Sequence, residues 1–153
     1  MEAIVRTMLK RGVRGKSAHL DPTAVLDGLD YRFTGLYPTA IPNTIWQIAQ
    51  HIHLWVYLKV ELFEGREIVM PEGHGFSTET FPPSEEAWEK FKLDFKAAII
   101  RIEELTDSLD LVKKYPIWND YTAAEMIEVM ITHNSYHAAQ IVAMRRVLGV
   151  WNR

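Results

Sequence analysis

The chain has 153 residues, 48% of them hydrophobic and 24% charged, with a formal net charge of −3. That length suits one sizeable core, and the charge argues against a broad nucleic-acid-binding surface. The lack of cysteine excludes disulfides, a thiol nucleophile and thiolate metal ligands.

The first stretch, MEAIVRTMLKRG, lacks the long apolar run of a signal peptide. No run approaches the roughly 18 apolar residues of a transmembrane helix, so a cytoplasmic protein without membrane association is expected. Basic residues gather at the start (Arg6, Lys10, Arg11, Arg14, Lys16) and at the end (Arg145, Arg146, Arg153), at a density that suits solvated helix faces. Ile4, Val5, Met8 and Leu9 form a short amphipathic pattern over 3–11, weakened by Gly12 and Gly15. DPTAVLDGL (21–29) reads as a short helix, with Asp21 as N-cap, Pro22 at the first helical position and Gly28 near the end.

Thr44 and Gln47 fit a capping box opening a helix over 44–64, which closes on Gly65. The loop that follows, GREIVMPEGHGFSTETFPP (65–83), is long for a compact domain, and such loops are often functional or mobile. Only EIVM (67–70) within it could pair as a strand, and it stands alone. Ser84 caps the next helix, predicted over 84–107, with Glu85 and Glu86 in the first turn where the helix dipole favours negative charge. Trp88, Phe91, Phe95, Ala98, Ile102 and Leu105 step by three and four along its buried face. After the linker SLDLVKKYPIWND, Thr122 and Glu125 offer a second capping box, with Tyr121 and Met126 as a hydrophobic staple. The last helix runs to Leu148 and stops at Gly149. Three long amphipathic helices and a shorter one predict an all-α four-helix bundle, one domain over 1–153.

Histidines interrupt two of the buried stripes. The last helix runs Met126, Met130, His133, His137, Ile141, Met144, Leu148; the helix at 44–64 runs Ile48, His51, Trp55, Leu58, Leu62. Positions four apart differ by about 40° around the axis and about 6 Å along it, so His133 and His137 can converge on one ion. Gln140 lies on nearly the same meridian and could hold a ring N–H or a bound water. His53 points about 200° away from His51. One histidine from the second helix plus the pair from the last makes a three-histidine set, which matches a catalytic divalent metal with an open position. The other reading is three hydrogen-bonded core histidines. Burying three imidazoles without partners costs several kcal/mol, so both readings require partners.

NTIWQIAQHIHLW (43–55) and ITHNSYHAAQIVAMRRVLG (131–149) resemble the two signature regions of the DinB/YfiT-like superfamily. These are small metalloproteins, not the DNA polymerase sharing the name. The matching elements are Thr44-Ile45-Trp46…His51, His133-x-x-x-His137-x-x-Gln140-Ile141 and Arg145-Arg146-Val147-Leu148-Gly149, with VLDGL (25–29) as a further short likeness. The resemblance implies a four-helix bundle with unusual connectivity and a divalent metal, zinc or nickel, held by His51, His133 and His137. It also implies a homodimer and, in some relatives, transfer of a low-molecular-weight thiol to an electrophile.

Other residues offer less. His19 and His74 fall in loops; His74, in EGHGF, is flexible enough to fold over a pocket, though a surface histidine is the simpler reading. Trp46, Trp55, Trp88, Tyr57 and Tyr136 read as core or interface material, with Tyr136 able to edge into the site. Asp30 and Glu125 are candidate outer-shell acids. No phosphate loop, serine elbow or carboxylate pair is visible. The leading expectation is a metal-dependent thiol transferase or hydrolase acting on a small molecule. The alternative is a non-catalytic dimeric metal-binding or stress-response bundle.

Overall fold

Helix starts follow the caps. In the computed structural model, which describes residues 1–16 and 18–151, the helices are α1 (Glu2–Val13), α2 (Ile45–Phe63), α3 (Glu85–Ser108) and α4 (Ala123–Val147). Thr44 and Gln47 close a reciprocal capping box on α2, and Thr122 and Glu125 close another on α4. Ser84 Oγ accepts the Ala87 N–H at the start of α3. Each cap satisfies backbone donors that have no partner inside the helix.

The bundle is all-α in its core, and its connectivity differs from a simple up-and-down path. α2 packs against α3 and α4, and α1 packs against the same two. Helices consecutive in sequence, α1 with α2 and α3 with α4, therefore lie across the diagonals. The expected stripes face inward: Trp88, Phe95 and Ile102 of α3 and Met126, Met130 and Ile141 of α4 are fully buried. α2 is buried more widely than its stripe, since Ile45, Ala49, Ile52 and Val56 are also fully enclosed. Each such large apolar side chain contributes about 1.5–3 kcal/mol on burial.

Several expectations are corrected. Segment 21–29 forms only one 3-10 turn, Ala24–Leu26. Its N-cap is Thr23 rather than Asp21; the Asp21 carboxylate accepts from the Thr23 N–H and hydroxyl just before the turn, and also from Arg14. Val25, Leu26 and Leu29 are buried, and docking them on the core outweighs the weak drive of a nine-residue segment to nucleate a helix. EIVM stays irregular, with Val69 exposed. The short strands are instead β1 (Lys114–Tyr115) and β2 (Tyr121–Thr122), paired antiparallel with Tyr115 opposite Tyr121. Asn119 and Asp120, both in the left-handed region, turn the chain between them. Tyr121 lies in β2 immediately before the Thr122 cap, and Met126 is fully buried.

Of the basic residues at the start, Arg11 and Lys16 are exposed as expected, while Arg6, Lys10 and Arg14 are engaged. Arg6 donates to the Thr106 and Leu109 carbonyls at the end of α3, Lys10 pairs with Asp107, and Arg14 joins Asp21 to Glu103. Arg145 is buried, donating to the carbonyls of Val25 and Val150 and lying 4.8 Å from the Trp151 ring. Arg153 lies outside the described residues. Gly12 does not end α1. It continues the helix because its bare Cα admits Ile131, whose Cδ1 would stand 2.6 Å from an added Cβ. Gly15, at φ +65, makes the turn that α1 cannot continue through.

Candidate metal centre

His51 leaves α2 toward α4, where His133 and His137 stand one turn apart. His51 Nε2 lies 2.9 Å from His133 Nε2, and one ring nitrogen from each of the three lies within 4.8 Å of the others. Nitrogens held tetrahedrally at zinc distance stand about 3.3 Å apart, so small side-chain rotations would bring all three onto one ion. The ring planes are inclined to one another by 50° to 74°, as converging ligands must be.

Neighbouring groups orient the rings. Gln140 Oε1 accepts from His137 Nδ1 at 2.7 Å, which places the proton on Nδ1 and the free lone pair on Nε2. Asn134 Oδ1 lies 3.4 Å from His133 Nδ1 and favours the same tautomer there. Phe76, from the long loop, stacks on His51 with ring centroids 3.9 Å apart and planes 2° off parallel. Tyr136 lies outside the cluster, its ring 5.0 Å from His137 and its hydroxyl 3.4 Å from Gln140 Nε2.

The environment keeps the imidazoles neutral. Burial pushes His51 down to about 4, with the charge of His137 acting in the same sense. Burial, then His137 and His51, lowers His133 to about 4. Burial lowers His137 as well, opposed by its hydrogen bond to Gln140. All three therefore present lone pairs at neutral pH, the form a cation requires.

A cavity of about 490 Å3 opens in front of the cluster, lined by His51, Trp55, Gly73, His74, Phe76, His133 and His137. His74 is exposed yet stands at this rim, between Gly73 and Gly75, both of which have positive φ. Sequence reasoning singled out His74 without placing it, and missed Phe76 and Asn134. The Gly-His-Gly pattern was the available signal. His53 faces away, as expected from its angle, with its ring 5.4 Å from Phe91 of α3. His19 bonds the Leu20 carbonyl elsewhere. Asp30 pairs with Arg32, and Glu125 is spent on its cap, so neither lines the cavity. Among the described residues no carboxylate joins the three-histidine group, and no helix is long and apolar enough to cross a membrane.

Searches of curated proteins and of solved structures find no significant match. The sequence model of the DinB superfamily matches residues 22–141, a span that takes in α2, α3, most of α4 and all three clustered histidines. That match covers well over half of the chain and agrees with the helical architecture, so the protein belongs to the DinB superfamily.

Proposed function

We propose that His51, His133 and His137 hold a divalent cation, zinc or nickel, and that the protein is an enzyme acting on a small molecule in the cavity before them. The observation that carries this reading is three neutral, converging imidazoles, with no fourth ligand among the described residues, at the wall of an open cavity. Structural zinc sites enclose the ion with four protein ligands, whereas catalytic ones leave a position free. A cation bound there would polarise a water or thiol on its open side and lower its pKa toward neutrality.

The chain's own groups supply the rest. Gln140 and Asn134 hold the Nδ1 protons of His137 and His133, keeping both Nε2 lone pairs directed inward. Phe76 covers one face of His51 and keeps water from it. His74, on the rim, is placed to take a proton from a nucleophile entering the cavity and return it to a leaving group. The nucleophile is a low-molecular-weight thiol for S-transfer to an electrophile, or water for hydrolysis. A cytoplasmic homodimer accompanies this reading. Ile4 and Met8, four residues apart on α1 and each about two-thirds exposed, supply an apolar face for it.

Metal analysis of protein purified without a histidine tag, followed by assays with thiol-plus-electrophile pairs and with ester and amide substrates, tests the proposal. One equivalent of metal and turnover abolished by His74→Ala or by chelation are expected. Outright unfolding on chelation, with no turnover in any assay, would favour the alternative of a structural metal in a non-catalytic bundle.

A further inference from the structure

Phe76 is a wall shared by two cavities. On the side away from the histidine cluster lies a second space of about 530 Å3, between α2, α3 and the loop. Its volume falls within the range of small-molecule sites, about 300–1,000 Å3. The rings of Tyr57, Phe76 and Phe91 and the side chains of Leu54 and Pro71 form its apolar wall. His53 also faces it, and among the described residues its ring nitrogens make no hydrogen bond within the protein.

Charge narrows the occupant. Among the described residues the only ionic side chain on this wall is Glu72, and no lysine or arginine lines either cavity. An anion seated here would be desolvated beside a carboxylate and find no cationic partner. Flat apolar rings, by contrast, stack or meet edge-on with the aromatic walls, each such pair adding to simple burial. Phe76 rests on His51 and lines both spaces, so a ring seated against Phe76 lies one ring thickness from a residue of the cluster.

We propose that this cavity is the subsite for the organic part of the substrate, and that the part it takes is a neutral aromatic ring bearing one polar substituent that hydrogen-bonds His53. As a substrate subsite the proposal rests on the metal-enzyme reading, but its ligand chemistry is testable apart from it.

The probe is 2-naphthol, with 2-naphthoate as its anionic counterpart, titrated calorimetrically into metal-free protein. Saturable 2-naphthol binding is expected, with 2-naphthoate at least tenfold weaker. Leu54→Trp, which fills the cavity from α2, should abolish binding, and His53→Ala should weaken it about five- to tenfold, with both variants folded by circular dichroism. Equal binding of the two probes, or 2-naphthol binding unchanged in folded Leu54→Trp, would overturn the ligand assignment. A second arm reads the link to the metal: 2-naphthol added to cobalt-loaded protein should shift the visible cobalt bands. Unchanged bands at saturation would overturn the subsite assignment. If wild-type protein takes up no cobalt or zinc while 2-naphthol still binds, the metal-enzyme reading falls and the subsite claim with it, leaving only the aromatic-ligand specificity.

Discussion

His133 carries its imidazole on a face of α4 whose other members, His137 apart, are apolar, so its loss would remove a proposed ligand without removing much of the core. His133→Ala should leave the helical circular-dichroism spectrum intact and reduce zinc affinity more than about 100-fold, beyond the roughly 10–100-fold that loss of an outer partner such as Gln140 would cost. Competition titration against a chromophoric chelator checks it, and affinity within tenfold of wild type would count against the ligand set. Lys59 is the costlier residue. It is buried, its ammonium meets one carbonyl, that of Trp55 at 3.3 Å, and stands 4.1 Å above the Trp118 ring. Burial pushes it down from 10.5 to about 7. Between those values the unfolded chain binds the proton and the native one does not, so stability rises with pH across that window. Below pH 7 the native state buries the charge and the deficit is complete. Lys59→Met should therefore stabilise the protein at pH 6 by on the order of 1–2 kcal/mol, and by less at pH 9.5. Urea denaturation at the two pH values reads the difference, and a gap that widens with pH would contradict the assignment.

At the scale of the element, α1 ends where Gly15 takes φ +65, and a Cβ built there would stand 2.2 Å from the Asp21 nitrogen. The obstruction is backbone, which cannot swing aside as a side-chain tip can. Gly15→Ala should cost more than about 2 kcal/mol in urea denaturation, although alanine is the better helix former. A neutral result would mean that the turn from α1 into Asp21 is not held as described. The same turn positions Arg14 between Asp21 and Glu103, so the loss should be accompanied by looser packing of α1 on α3. The loop between α2 and α3 is placed by ring contacts such as Phe76 on His51 and by the α2 cap residues, since Thr44 Oγ1 and Gln47 Nε2 donate to the loop carbonyls of Thr80 and Ser77.

For the whole molecule, Ile4 and Met8 leave an apolar face on α1 that water meets directly. Two copies joined through it would form an isologous contact, and sedimentation equilibrium should return about twice the 17.7 kDa chain mass. Met8→Glu should shift that mass to the monomer without loss of helix; a concentration-independent monomer in the wild type would refute the dimer. Metal-free protein should remain helical but melt lower than metal-loaded protein, because a ligand that binds only the native state stabilises it. Thermal melts with and without chelator measure the shift.

Local chemistry was legible in the chain. Caps at Thr44, Ser84 and Thr122, and the three-and-four stepping of α3 and α4, are short-range features, and the structure reproduces them within a residue or two. The face shared by His133 and His137 followed from helical pitch alone, and His51 followed from its place on a second stripe. Segment 21–29 did not, because its conformation is decided by where Val25, Leu26 and Leu29 dock, and Arg145 did not, because its burial depends on the Val25 carbonyl, distant in sequence. Only the tertiary structure could bring Phe76 onto His51 and His74 to the rim: the loop has no periodicity to read, and its side chains are positioned by packing against helices already in place. Periodic backbone hydrogen bonding makes a helix face predictable from spacing, whereas a loop's contacts exist only after the bundle has closed.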